Sequence, residues 1–179
     1  MKKVINAIFR RLNEKRLAKQ HRRLTVPVCY KGKEELRSCL LFYSADSEPQ
    51  VAFDILKKGL PKVHFQQLCF LPKKMEGLNQ TTEVTYFAPS DLGWRGKISN
   101  GRLTELLSEK FDVLIDLTTK SNVLTQYVLK NSEACCIVGK KGGTTMADIV
   151  LAGVSDEQDF AEKLLALLSE INGCENGKI

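Results

Sequence analysis

The sequence predicts an α/β domain, Rossmann-like and three-layered, with a mostly parallel but mixed sheet and a basic helix in front of it. Three observations carry that prediction. A short continuous apolar run at residues 39–43 reads as a strand covered on both faces, and residues 112–117 as a second, the best strand in the chain. Amphipathic segments with starts and stops alternate with them. Nine of the 27 lysines and arginines fall within residues 1–24, against one acid, Glu14.

The basic arm, residues 1–24, comes first. Ile5, Ile8, Phe9 and Leu12 repeat at i, i+3, i+4 and i+7 and share one helical face. Lys2, Lys3, Arg10, Arg11, Lys15, Arg16, Lys19, Arg22 and Arg23 give the arm a charge of +8, while the net charge of the whole chain is +6. The body is therefore close to neutral, and any argument from charge to partner concerns the arm. Residues 13–24 are nearly all polar, and Pro27 marks a boundary. Lys2 and Lys3 resemble the start of a secretory leader, but the apolar stretch 4–9 contains Asn6 and stops at Arg10. That is too short for a leader's apolar core.

Residues 39–43 form the first strand. Ser44-Ala45-Asp46-Ser47 then leads into Glu48-Pro49, and capping residues followed by an acid and a proline open a helix. Val51, Ala52, Ile55 and Leu56 give it an apolar face, and Gly59 with Pro61 stops it. A strand follows at 63–71, residues 72–83 carry no helical pattern, and 84–87 is again a strand. The segment 88–98 is a loop with Pro89, Gly93 and Gly96. Leu103, Leu106 and Leu107 mark a helix ending near Lys110.

Residues 112–117 are the best strand in the chain, followed by a polar turn and a helix with Val123, Leu124, Tyr127 and Val128 on one side. Segments 134–138 and 149–152 are the last strands. Ser155-Asp156-Glu157-Gln158 reads as a capping box for the final helix, with Phe160, Ala161, Leu164, Leu168 and Ile171 turned inward. The links at 72–83 and 139–148 lie near the minimum for a crossover between parallel strands. At least one of them is expected to join antiparallel neighbours, which would make the sheet mixed.

At 179 residues the chain fits one domain, assigned to residues 25–172 with a loose tail at 173–179. Hydrophobic residues at 43% and charged residues at 27% are ordinary for a globular protein and exclude wholesale disorder. No window approaches the roughly 18 apolar residues of a membrane span. The six cysteines contain no C-x-x-C pair, and the two histidines, His21 and His64, are far apart. The spacing argues for reduced thiols in the core, a cytoplasmic setting and no zinc site.

In open α/β sheets, ligands sit outside the carboxyl ends of the strands, where the winding reverses. Two loops have that position: Ser44-Ala45-Asp46-Ser47, and Asp116-Leu117-Thr118-Thr119-Lys120-Ser121-Asn122. Ser44, Asp46, Ser47, Asp116, Thr118, Thr119 and Lys120 offer hydroxyls, acids and a cation at strand ends, suited to a phosphate or a sugar. The same residue types are preferred helix caps and could be present for folding alone. Trp94, the only tryptophan, stands beside Arg95 in a glycine-containing loop, where it could stack on a base or sugar ring or fold back over the core edge.

Gly139-Lys140-Lys141-Gly142-Gly143-Thr144-Thr145 is not a phosphate-binding P-loop. Its lysines precede the glycine pair and a strand follows; the reading is a solvated turn. His64 begins its strand, at the wrong end for a Ser-His-Asp arrangement, and Asp112 and Asp116 lie at opposite ends of one strand. No catalytic set, metal set or cofactor fingerprint emerges.

The order of segments resembles an uncharacterised family of small Bacteroidota proteins, a domain of unknown function. The likeness rests on the basic N-terminal helix, the 39–46 strand and loop, Ser90-Asp91-Leu92-Gly93-Trp94, Phe111-Asp112-Val113-Leu114-Ile115-Asp116-Leu117, and Ser132-Glu133-Ala134 leading to Val138-Gly139. It implies a cytoplasmic bacterial protein and supplies no catalytic residues. One part, residues 111–117 with the turn and helix after it and residues 134–139, is similar to the first domain of heptosyltransferase-type glycosyltransferases; a second, nucleotide-binding domain is missing.

The leading reading is a non-enzymatic binding module whose arm contacts an anionic partner, either nucleic acid or the inner face of a membrane. A protein partner or a second copy of the chain is a further expectation. The arm could equally dock on the domain with its charges solvated. The alternative is a small enzyme or ligand-binding protein for a phosphorylated or sugar-like metabolite in the crevice between residues 44–47 and 116–122.

Overall fold

The computed structural model describes residues 15–16, 19, 26–47, 49–73, 83–93, 97–142 and 146–171. These residues form strands β1 (Ser38–Ser44), β2 (His64–Phe70), β3 (Val84–Phe87), β4 (Val113–Asp116), β5 (Cys136–Lys140) and β6 (Ile149–Leu151). Among the described residues the helices are α1 (Gln50–Gly59), α2 (Gly101–Ser108), α3 (Val123–Asn131) and α4 (Glu157–Glu170), with a 3₁₀ turn at Pro89–Asp91. The strands make one sheet in the order β3-β2-β1-β4-β5-β6.

Every neighbouring pair in that sheet is parallel. The expectation of a mixed sheet is therefore wrong, and the reason lies in strand length. A parallel link must return the chain to the starting edge of the sheet, and usually a helix does this. Here β6 is so short that its register runs only from Val138↔Ile149 to Lys140↔Leu151. Residues 141–148 thus carry the chain back by only about two residue rises, some ~7 Å. The link 71–83 meets the crossover minimum of about a dozen residues.

Side chains alternate across the central strands and fill two cores. Leu40 and Phe42 of β1 pack with Leu68, Phe87, Leu114 and the α2 and α3 residues Leu103 and Val128. Cys39 and Leu41 point the other way, toward Ala52 and Leu56 of α1 and Phe160 and Leu164 of α4. Both faces are buried, which is why residues 39–43 show no polar alternation. Each fully buried leucine or phenylalanine contributes roughly 1.5–3 kcal/mol, so the two cores outweigh any surface interaction. Helices α1 and α4 meet closely: a Cβ on Gly59 would lie 2.5 Å from Leu165 Cδ1.

Helix starts follow the sequence with two differences. The Asn122 side chain accepts from the amides of Leu124 (2.9 Å) and Thr125 (3.0 Å), and Thr125 Oγ1 accepts from the Asn122 amide at 2.8 Å. Asn122→Ala should cost about 1 kcal/mol in urea denaturation, because these first-turn amides lose their acceptor. Helix α4 is capped by Asp156, not Ser155: Asp156 Oδ1 accepts from Asp159 N at 2.8 Å, and Asp159 Oδ2 accepts from Ser155 N at 2.8 Å. The cap thus sits one residue later than the serine-based box, and the Asp159 carboxylate reaches back to the residue before the cap. Helix α1 begins after Pro49 with no side-chain cap.

Ahead of β1, residues 26–37 run along the amino edge of the sheet. Cys29 N donates to Cys135 O at 3.2 Å and Lys33 N to Leu168 O at 2.8 Å. In the arm, Lys15 and Arg16 are helical and exposed, and Lys19 is exposed. Lys2, Lys3, Arg10, Arg11, Arg22, Arg23 and the apolar face from Ile5 to Leu12 lie outside the described residues, as do Trp94 and the tail from residue 172. Among the described residues no helix is long and apolar enough to cross a membrane.

Candidate functional site at the carboxyl ends of β1 and β4

With β1 and β4 adjacent, the chain winds outward from them in opposite directions. That is the topological switch point, and in open α/β sheets the crevice that binds ligands lies there. The two loops singled out from the sequence are the ones that follow these strands. Lys120 Nζ, after β4, comes 3.4 Å from Asp46 Oδ2, after β1, so the loops meet across the crevice.

The register Phe42↔Asp116 aligns the two strand ends. Phe42 and Leu114 belong to the core on the α2/α3 side, and Ser44 and Asp116, two residues further along, share that face. Ser44 is 6% exposed, Asp116 2% and Thr118 3%. Thr118 donates to Asp116 Oδ1 twice, from its amide at 2.9 Å and from Oγ1 at 2.7 Å. Asp116 Oδ2 is buried and has no hydrogen-bond partner. Burial pushes the Asp116 carboxyl above the usual carboxylate range, against the pull of the Thr118 bonds and of Lys140. Asp46 is the reverse case: a hydrogen bond from Ser44, with Lys120 nearby, holds it below that range.

Capping does not account for these side chains. Helix α1 has no side-chain cap, and α3 is capped by Asn122 with Thr125. Ser47 Oγ donates to Ser44 O at 2.6 Å and closes the turn after β1. Thr119 and Lys120 are exposed.

Lys140 is the neighbour that sequence reasoning missed. It ends β5, beside the Asp116↔Gly139 pair, and its charge is felt by Asp116. The Gly139-Lys140 dipeptide at a strand's carboxyl end was the available signal, and rejecting the P-loop also set the lysine aside. The turn itself is as expected, with β6 following and Gly142 at φ +91°.

Other candidates fall away from the crevice. The loop after β3 is pinned by the Leu92↔Ile98 bridge and by Gly93 N donating to Lys97 O at 2.7 Å. It follows a strand separated from β1 by β2. His64 is exposed at the start of β2, the opposite end of the sheet. A groove of about 330 Å³ between Lys33 and Val63 also lies at that end. Of its three lysines, Lys62 pairs with Glu34 at 3.0 Å, and Lys58 stands in the last turn of α1, where a cation complements the helix dipole. Among the described residues no cluster of three or more metal-ligating side chains occurs.

Compared with families of known proteins, residues 9–171 match one described as a family of unknown function (DUF6913). The chain belongs to that family. No curated protein and no solved structure matches this DUF6913 chain. The family assignment brings no reaction with it, so the chemistry of the DUF6913 crevice has to be read from its own residues. An acid that keeps its proton to higher pH can donate from Oδ2 to a ligand oxygen, and when ionised it can accept from a hydroxyl. Lys140 adds a cation within electrostatic reach of Asp116, and Lys120 one beside Asp46.

Proposed function

We propose that this domain is a binding module for a small hydroxylated metabolite, sugar-like or a phosphate ester, held in the crevice between β1 and β4. One observation carries the reading: Asp116 Oδ2 is buried without a partner at the switch point. About 90% or more of buried polar groups in folded proteins are hydrogen-bonded, and leaving one unmade costs about 1–3 kcal/mol. A ligand hydroxyl supplies the missing partner. Asp46 and Ser44 then contact further hydroxyls, and Lys120 or the uncapped start of α1 takes a phosphate.

The test is thermal unfolding with millimolar aldoses, cyclitols and their phosphate esters, on the wild-type protein and on Asp116→Asn. The amide keeps an acceptor for Thr118 but presents NH₂ where Oδ2 stood. At neutral pH the unliganded variant should be more stable, on the order of 1 kcal/mol, as substitutions that relieve a destabilised site commonly are. The sign follows from linkage. A carboxyl whose folded pKa is raised contributes stability that is full below its unfolded value of 3.8 and lost as pH rises through the folded value. The variant's advantage should therefore vanish near pH 3. Any ligand-induced stabilisation of the wild type should be absent in Asp116→Asn and weakened in Asp46→Ala. No stabilisation of the wild type by any of these compounds would overturn the proposal.

The arm supports a second reading as an anionic-partner contact at a nucleic acid or a membrane surface. The observation behind it is the charge of +8 in residues 1–24, with Lys15, Arg16 and Lys19 exposed. Full-length protein with these three residues changed to glutamate should lose salt-sensitive binding to anionic vesicles or mixed RNA.

A further inference from the structure

We propose that Cys29 and Cys135 form a reversible disulfide that fastens the segment entering the domain to the amino end of β5. The sequence reading placed all six cysteines among core thiols. The structure keeps Cys39, Cys69 and Cys136 buried and leaves Cys29 and Cys135 half-buried. Burial pushes the Cys69 thiol up to about 11 and Cys39 further still, so both are poor nucleophiles at neutral pH. Cys29 and Cys135 differ in exposure, and they are neighbours.

Their contact is a backbone hydrogen bond, Cys29 N to Cys135 O at 3.2 Å, while Cys135 N donates to Phe111 O at 2.8 Å. That single bond makes the two residues immediate neighbours, and a disulfide joins residues whose α-carbons lie about 4.4–6.8 Å apart. A cation is fixed beside them. Lys31 donates to Asp112 Oδ1, and its ammonium lies within electrostatic reach of both thiols. Both thiols are partly exposed, as exchange with a small disulfide requires.

The oxidant is a low-molecular-weight disulfide. One thiolate attacks a sulfur of that compound and releases the first small thiolate, leaving a mixed disulfide on the protein. The second cysteine's thiolate attacks the protein sulfur of that mixed disulfide and releases the other small thiolate. Two protein thiols become one disulfide, the small disulfide becomes two thiols, and no electrons are left over. The bond closes a loop of roughly 100 residues, the range in which a disulfide constrains the unfolded chain most. It also makes the anchoring of residues 26–31 dependent on redox state.

The experiment treats full-length protein with oxidised glutathione, blocks remaining thiols with an alkylating agent, and maps crosslinked peptides by mass spectrometry. The expected result is a monomer that loses two thiols, yields a Cys29–Cys135 peptide pair, unfolds at a higher temperature, and returns to the starting state with dithiothreitol. Cys29→Ser and Cys135→Ser should each stop at a glutathione adduct, whereas Cys174→Ser should crosslink like wild type. The proposal fails if the wild type stops at glutathione adducts, pairs Cys135 with Cys136, or crosslinks between molecules.

Discussion

Asp112→Ala is expected to destabilise the protein by about 2–3 kcal/mol, as removing the shared acceptor of two backbone amides and a half-buried ammonium does. Asp112 precedes β4 at the amino edge of the sheet, and its side chain is 12% exposed. Oδ2 accepts from the amides of Arg37 (2.7 Å) and Ser38 (3.0 Å), and Oδ1 accepts from Lys31. One carboxylate thus holds the start of β1, the segment before it and the start of β4. Alanine would leave two amides and an ammonium without their acceptor. Asp112→Asn should recover part of the loss, because its carbonyl oxygen can still accept from the amides.

The same group predicts acid sensitivity. Burial pushes Asp112 upward, but the bonds from Lys31, Arg37 and Ser38 outweigh it and hold the carboxyl below its ordinary value. A depressed carboxylate contributes stability that is present above the unfolded value of 3.8 and lost as pH falls through the folded value. Wild-type stability measured by urea titration should drop steeply below pH 4, and Asp112→Ala should show a shallower drop. Parallel pH profiles would mean that other carboxylates carry the acid transition. Asp116 works with the opposite sign, so Asp116→Asn should steepen the net loss of stability on acidification.

The second large effect is Gly32→Ala, expected to cost about 2–3 kcal/mol through forced displacement of packed backbone. A Cβ on Gly32 would collide with the carbonyl oxygen of Ile171. That neighbour is backbone just after α4, not a side-chain tip that can rotate away. To make room, the segment must move off the helix end and strain the bond from Lys33 N to Leu168 O, 2.8 Å, which satisfies a carbonyl of the last turn. Gly59→Ala should cost less, because the atoms it meets belong to the flexible Leu165 side chain. Urea denaturation of the two variants side by side checks the ranking; an equal or reversed order would show that the chain accommodates position 32.

These effects also mark how far the sequence could be read. Strands β1 and β4 were legible because burial on both faces leaves continuous apolar runs, as in residues 39–43. Helices α1 to α4 were legible through periodicity and breakers, with boundary differences of a few residues. The apolar pattern starts β5 two residues early, at Ala134, because Ala134 is itself buried and apolar character does not mark where a ladder begins. The candidate loops were located because polar residues after buried strands have few places to go in an α/β sheet.

By itself, the sequence determined the three-layer α/β class, the uneven charge and the position of the crevice loops along the chain. Those properties depend on local composition and on periods of two and 3.6 residues. Only the tertiary structure decided that every strand is parallel, because that depends on how far β6 lets the chain return. It alone brought Lys120 to Asp46, left Asp116 Oδ2 without a partner, and set Cys29 against Cys135. These are contacts between segments far apart in the chain, and no local pattern encodes the distance between two segments until the sheet between them has formed.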